Sequence, residues 1–434
     1  MKRYTFKATA AVLSLGLLLS GCVSDNSGSK RNKEDSDSKD ADFVTSVDYE
    51  DIETVSFDQD SMSNEYNSYS FELMSQVLSR VNNDTNVMVS PASVMFALDM
   101  CSAGANGDTL DQIINLFADG ADAPAQHAFA AAMMERINSS QDIEFSCANA
   151  VWVNSARMSS GLNPDYEDYI EDYFDAEITA EDFDSNTVNE INEWVDDNTD
   201  GMIDRVLDEL EQQTVSVLVN AIAFDGNWLD PYEDDQVRSE DFTTSSGDVI
   251  TVDMLNGTEE LYYETDRATG FLKYYDGWQY ALIVMLPVDE SLSANEFLAG
   301  FTGDDFSEFI NSGTYEYDVY TKIPEFDYDF DTNLNAVLSD LGVTDAFDED
   351  LADFRGIGLP DSGGNIFIGK VIHKTHIELD RSGTRAAAAT AVVMYDAACE
   401  APAQFREVYC DRPFAYAIVD TESMNPIFIG TYNG

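Results

Sequence analysis

Residues 280–287 read YALIVMLP. The run shows no alternation, so a strand made from it has no polar face to turn toward water and must be covered on both sides. A sheet that holds such a strand needs a layer of structure on each face, and therefore a large core. The rest of the chain supplies the layers. Tyr69 to Val81 has helical apolar spacing, and NVMVSPAS (86–93) is a short apolar strand stopped by Ser-Pro, with Pro91 suited to the first turn of a helix. Val94 to Phe117 predicts two helices broken at Ala103-Gly104-Ala105-Asn106-Gly107. FSCANAVWVN (145–154) and TVSVLVNAIAFDGNW (214–228) are β-rich, and residues 187–209 predict a helix with Ile191, Trp194 and Val195 on one face. PFAYAIVD followed by NPIFIGTYN predicts a terminal hairpin. Helices dominate the front and strands the back, with no internal repeat: an α+β chain with one large core.

That core has to form in a very acidic chain. Of 434 residues, 83 are Asp or Glu and 22 are Lys or Arg, a formal charge of −61. Apolar residues at 44% and aromatics at 12% separate it from an acidic disordered chain. The charge argues against nucleic acid, heparin-like polyanions and anionic lipid faces as electrostatic partners. The N-terminus carries an address: basic Lys2, Arg3 and Lys7, an apolar run from Ala8 to Leu19, then Leu19-Ser20-Gly21-Cys22. This resembles a bacterial-type lipoprotein signal (1–21), which would leave Cys22 for lipid attachment and place the protein, membrane-anchored, at the outer cell surface. The alternative is an ordinary secretory signal with an incidental cysteine. Residues 22–62 are polar and low in complexity, expected as a disordered tether before a folded domain at 63–434. No Cys/His metal spacing appears, so neither zinc nor any other cofactor is expected. Cys101 lies in an apolar helical stretch, as a small hydrophobe, and a disulfide between Cys399 and Cys410 stays open.

One stretch fits neither layer. GTRAAAATAVVMYDA (383–397) has the alanines of a helix, but opens on glycine and continues into the β-branched Thr390, Val392 and Val393. It is small, apolar and undecided between two structures; one reading is an exposed helical linker. Catalytic machinery is not evident. The histidines are His127, His373 and His376, and there is no GxSxG elbow, P-loop or dinucleotide glycine pattern. The acidic run Asp327 to Asp331 reads as a solvated face or a loose calcium site. Nothing marks the chain as an enzyme.

Six blocks in order resemble the serpin family across nearly all of 64–434. They are NVMVSPASVMFALDMCSAGANGDTLDQI (86–113), INEWVDDNTDGMI (191–203), LVNAIAFDGNWLDPY (218–232), LGVTDAFDEDLADFRGI (341–357), VIHKTHIELDRSGTRAAAATAVVM (371–394) and DRPFAYAIVD…NPIFIGTYN (411–433). Asp225 stands where the family usually has lysine. The resemblance implies a serpin fold: three β-sheets, eight or nine helices, and an exposed reactive loop at about 381–405. It also implies a monomer that is consumed once, as an irreversible inhibitor. A serine protease attacks the loop and forms an acyl-enzyme. The cleaved loop then enters the central sheet as a new strand, drags the protease along and traps it as a covalent complex.

On that reading the odd stretch is the hinge, Gly383, Thr384, Arg385, Ala386, Ala387, Ala388, Ala389 and Thr390. Strand alternation puts Thr384, Ala386, Ala388, Thr390 and Val392 on one face, all uncharged, with Arg385 on the other. Two departures stand out. Arg381 occupies a usually acidic position at the loop base, and the loop is about five residues longer than usual. Counting from the hinge places the reactive bond at Ala397–Ala398, with Met394, Tyr395 and Cys399 as alternatives; a small residue there suits elastase-like or subtilisin-like proteases. Ser90, Ser93, Asn220 and His373 match the family's polar "shutter", and Trp228 its "breach", where the loop first enters. Simple core packing is the alternative for each. The competing function is a non-inhibitory, cell-surface binding serpin.

Overall fold

The computed structural model describes residues 43–47, 49, 55–384 and 404–434, apart from short breaks at 119, 121, 141–142, 159–160, 175, 200, 204, 211–215 and 360–364. The chain begins with α1 (Gln59–Leu78), β1 (Val87–Val89), α2 (Pro91–Ala103), α3 (Gly107–Phe117) and α4 (Ala123–Asn138). Next come β2 (Ile143–Asn154), α5 (Pro164–Phe174), β3 (Ala176–Glu181), α6 (Ser185–Asn198) and β4 (Ser216–Asn227). Five strands follow: β5 (Val237–Thr243), β6 (Val249–Glu259), β7 (Tyr262–Glu264), β8 (Ala268–Tyr274) and β9 (Tyr280–Pro287). After α7 (Ala294–Ala299) and α8 (Gly303–Asn311) come β10 (Tyr317–Pro324), β11 (Phe326–Asn333), α9 (Asn335–Asp340) and β12 (Ile368–Leu379). The chain ends with β13 (Gly383–Thr384), β14 (Gln404–Tyr409), β15 (Phe414–Asp420) and β16 (Pro426–Tyr432).

The strands form three sheets. A central sheet runs β11-β12-β13-β4-β2-β3, a second runs β1-β16-β15-β9-β8-β7, and a third runs β14-β10-β6-β5. Nine α-helices occur among the described residues. β9 is the YALIVMLP run; all eight of its residues are buried between antiparallel β8 and β15. The predicted terminal hairpin is β15–β16.

α2 is buried on every side, as its near-continuous apolar sequence requires. The Ser90 hydroxyl caps it by accepting from the Ser93 N–H, and Pro91 occupies the first turn. Capping thus fixes where α2 starts beneath the central sheet.

Two boundaries differ from expectation. The helix predicted over 187–209 stops at Asn198. The Thr199 hydroxyl turns back to the Val195 carbonyl (2.8 Å), and Gly201 takes a left-handed φ of 72° that ends the helix. Residues beyond it wrap onto Asn192, whose Oδ1 accepts from the backbone of Val206 and Leu207. Ile191 and Val195 are buried as predicted, while Trp194 is half-buried and donates to Glu177. The folded body also begins before residue 63. Asp58 caps α1, Val47 is buried, and the Tyr49 hydroxyl donates to the carbonyl of Ala103 (2.9 Å). Apolar Val47 and aromatic Tyr49 give this part of the expected tether something to bury.

β11 is an edge strand. Asp327, Asp329 and Asp331 line its exposed face, and Asp329 meets His376 at 3.0 Å. Charge along an edge discourages pairing with another chain. Cys101 and Cys410 are buried free thiols; Cys399 lies outside the described residues.

Candidate functional site

The seam between β4 and β12 is where the sequence-predicted residues converge. These strands run parallel and pair directly at one end, Ile368 with Ser216 and then Lys370–Ile372 with Val217–Val219. At the other end the hinge already separates them. Gly383 and Thr384 pair antiparallel with Asn227 and Gly226 of β4, and Thr384 pairs with Leu379 of β12. Between the two ends, residues 373–378 of β12 are laddered only to β11, and 220–225 of β4 only to β2, among the described residues. Among the described residues, this slot in the seam therefore holds Gly383 and Thr384, at its mouth.

The mouth is built around Trp228, which is buried and stacks on Tyr275 with centroids 4.5 Å apart and planes 14° apart. Its indole N–H donates to the Asp380 carbonyl (2.9 Å), and its backbone N–H to the Ser382 carbonyl (2.8 Å). The Asp380 carboxylate accepts from the N–H groups of Ser382 (2.7 Å) and Gly383 (3.1 Å), which shapes the turn into the hinge. Thr384 is 2% exposed and shares a 2.7 Å hydrogen bond with the Tyr275 hydroxyl. Burial pushes that phenol's pKa up, so it stays protonated. Gly383 is required by contact: a Cβ there would lie 2.1 Å from the Gly226 carbonyl oxygen. The inward face predicted for Thr384 is thus observed, and the glycine before it has a steric cause.

Arg381 is rewired. Its guanidinium pairs with Asp234 (2.6 Å) and lies 3.8 Å from Glu325. Its carbonyl accepts from the Tyr232 N–H (2.8 Å), and its own N–H donates to Glu325 (3.2 Å). Below Trp228, Lys273 places its ammonium 4.4 Å from the Tyr232 ring centroid and 5.5 Å from that of Trp228, while bonding Glu259 at 3.0 Å. Burial is the largest single influence and works against that charge, but Glu259, Tyr232 and Asp230 together outweigh it and raise the Lys273 pKa.

The closed end is polar. The Ser90 N–H donates to His373 Nε2 (3.0 Å), joining the start of α2 to β12. Burial depresses the His373 pKa to about 4, so the ring is neutral and free to accept. Thr375 Oγ1 donates to the Met88 carbonyl (2.9 Å). Ser93 joins through the Ser90 cap, and Asn220 occupies the β4 position opposite Asn149 of β2. Asn149 itself donates to the Phe174 carbonyl (3.0 Å).

Ser90, Ser93, His373, Trp228, Gly383 and Thr384 are thus all placed on this seam, as is the backbone of Asn220. Arg385, Ala386, Ala387, Ala388, Ala389 and Thr390, the bond Ala397–Ala398, and Cys22 lie outside the described residues. Sequence reasoning missed Tyr275, Asp380 and Thr375. Their only signal is position: Tyr275 follows β8, and the other two alternate inside a strand and its turn.

A family model described as serpin (serine protease inhibitor) matches residues 64–434. A serpin-like protein of Methanosarcina acetivorans is 30% identical over 376 residues, 84% of each chain. The solved native state of a thermophilic serpin, tengpin, is 34% identical and covers 88% of this chain and 95% of that one, with a TM-score of 0.80. The same protein's latent state covers 88% of this chain and 99% of that one at 32% identity, with a TM-score of 0.74.

Proposed function

This chain belongs to the serpin family, and from that premise we propose that it is a suicide inhibitor of serine proteases that traps its target by inserting the cleaved loop into the β4–β12 seam. The observation that carries this reading is the slot with its mouth already occupied. Thr384 sits opposite Leu379 and Gly226. Extending that antiparallel register places Arg385 to Thr390 along residues 378 to 373 of β12 and 225 to 220 of β4. Among the described residues, these positions are laddered only to β11 and to β2.

The side chains suit the places they reach. Arg385 arrives on the outward face between Glu378 and Asp225, a charge-complementary position. Ala386 and Ala388 arrive over Ile377 and Thr375, which are buried, so small uncharged side chains suit this face. Thr390 arrives at His373 and Asn220, so insertion beyond it requires the directly paired end, Ile368–Ile372 with Ser216–Val219, to part. About a dozen inserted residues, at roughly 0.5–1.5 kcal/mol net per ladder bond, supply on the order of 10 kcal/mol to distort the trapped protease.

The test is incubation of the protein with elastase-like and subtilisin-like proteases, read by denaturing gel and intact mass. A covalent adduct with a released fragment beginning at Ala398 is the expected outcome, and it also fixes the reactive bond. Clean cleavage with no adduct and no gain in thermal stability would sink the reading. The anchored, cell-surface position expected from Cys22 is part of the proposal, and intact mass of the mature chain with an acylated N-terminal cysteine tests it.

A further inference from the structure

The hairpin joining β8 to β9 turns through Asp276, Gly277, Trp278 and Gln279, closed by a bond from the Tyr275 N–H to the Tyr280 carbonyl (3.1 Å). Gly277 has a φ of 77°, which glycine adopts without strain. Trp278 has a φ of 64°, and for a bulky side chain that is a genuine outlier. Its ring is 54% exposed, so burial does not offset the strain. Thr421, in the turn between β15 and β16, holds the loop there through the carbonyls of Trp278 (2.8 Å) and Gln279 (3.0 Å). A strained, exposed tryptophan held in place by a neighbouring turn is the kind of local cost that marks a functional site.

Trp278 forms the rim of a cleft of about 410 Å³. Tyr274 lies against it with ring centroids 4.7 Å apart, and Tyr315, 67% exposed, stands beside Tyr274. The remaining wall carries the carboxylates of Asp230 and Glu260. At the floor, the Lys273 ammonium is already engaged by Glu259 (3.0 Å) and by the Asp230 carbonyl (3.1 Å). Among the described residues, no basic side chain pairs with the carboxylates of Asp230 or Glu260. The cleft therefore offers three electron-rich ring systems and three carboxylates, Asp230, Glu259 and Glu260, against the one ammonium of Lys273. Both features repel anions and attract a weakly hydrated cation. Its concavity suits a small molecule rather than a flat protein face.

We propose that this cleft binds a small organic cation bearing an alkylated ammonium group, seated between Trp278, Tyr274 and Tyr315 and facing Asp230 and Glu260. The site adjoins the mouth of the seam, with Lys273 between them, and does not depend on the inhibitor reading. The same chemistry has a second source, a methylated lysine side chain of another protein, which the experiment separates.

The full chain is titrated calorimetrically with tetramethylammonium chloride against a sodium chloride reference at constant ionic strength. A second arm uses a short peptide containing trimethyllysine. Saturable binding of the free ion is expected. Trp278→Asn removes the ring while suiting the left-handed backbone, so it folds at least as well as the parent, and it should weaken binding by about tenfold or more. Glu260→Gln should weaken it several-fold, more so at low salt. Absence of saturable heat from the free ion, or unchanged affinity in a natively folded Trp278→Asn, overturns the site. Tighter binding of the peptide than of the free ion moves the source to a protein side chain and overturns the small-solute assignment.

Discussion

The two ends of the β4–β12 seam are held by different physics. At the mouth, β13 fills the gap with backbone ladder bonds, and an aromatic stack of Trp228 on Tyr275 receives the one hydroxyl that enters. Arg381 pairs with exposed Asp234 at the rim, and buried Lys273 pairs with Glu259 beneath the stack. At the closed end the strands pair directly, and beside it buried polar groups tie β12 to β1 and the cap of α2: the Ser90 N–H on His373, and the Thr375 hydroxyl on Met88. On the proposed insertion reading, the mouth would select by shape and polarity what enters. The closed end would set how far the strands part, because separating them moves β12 against buried hydrogen-bonded groups. One slot thus has a selective opening and a polar lock.

Placing a charge in the mouth is expected to have the largest effect. Thr384→Arg puts a guanidinium where the side chain is 2% exposed and its hydroxyl is hydrogen-bonded to Tyr275. An unpaired buried charge costs several kcal/mol, so the hinge should stay out of the slot and the protein should be cleaved as a substrate. On a denaturing gel, the adduct with the target protease should disappear while the cleaved chain accumulates. Thr384→Ser, which keeps the hydroxyl, should still form the adduct. Undiminished adduct from Thr384→Arg would mean that the mouth does not select.

The lock should answer to pH. In the unfolded chain His373 takes up its proton near pH 6.5, but in the folded protein only near pH 4, because burial penalises the charged ring. Between those values the unfolded state binds more protons, so stability from this group is complete above pH 6.5. It falls as the pH drops toward 4, by about 3 kcal/mol in all. Other buried groups titrate too: His127 is depressed to about 3, and Asp99, bonded to Gln126, is raised to about 8. Subtraction isolates His373. His373→Gln keeps an acceptor for the Ser90 N–H but cannot be charged, so its urea midpoint should fall less than that of the parent between pH 6.5 and 4. Parallel curves would show that His373 is not part of the lock.

How legible this was in the sequence depended on which interaction fixed each residue. YALIVMLP declared a strand buried on both faces because an apolar run has one way to hide. Ser90-Pro91 declared a helix start because cap and first turn are local chemistry. Alternation alone puts Thr384 on an inward face, and its side chain is buried. The break at Thr199–Gly201 was misread because residues 202–209 keep apolar spacing while their backbone bonds to Asn192, a contact absent from the periodicity. Tyr275, Asp380 and Thr375 were invisible for a related reason. Each has a partner more than 100 residues away along the chain, which periodicity and local motifs do not reveal.

A smaller change tests whether the mouth needs its one internal hydroxyl pair. Tyr275→Phe preserves the stack on Trp228 but leaves Thr384 Oγ1 without its 2.7 Å partner. About 1 kcal/mol of stability should be lost, the usual worth of such a bond. Because the loss falls on the docked hinge, Tyr275→Phe with Thr384→Val should be less destabilised than the sum of the two single changes. Strict additivity in thermal midpoints would mean that the hydroxyls do not act together and that the ladder bonds of β13 alone hold the mouth.

The smallest effect should come from the residue that the sequence marked as most unusual. Arg381 stands where an acidic side chain is usual, yet it is 42% exposed and its main partner, Asp234, is 98% exposed. Exposed pairs of this kind contribute between zero and about 1 kcal/mol. The loop base is held by main-chain bonds that a truncation leaves intact: Tyr232 N–H to the Arg381 carbonyl, Trp228 N–H to the Ser382 carbonyl, and the Arg381 N–H to Glu325. Arg381→Ala should therefore shift stability by less than about 0.5 kcal/mol, leave the yield of covalent adduct unchanged, and show little dependence on salt. If adduct formation instead collapses and high salt reproduces the loss in the parent protein, then the rim charge positions the hinge. Electrostatics would then govern the selective end of the seam, and the contrast with the polar lock would be one of placement rather than of kind.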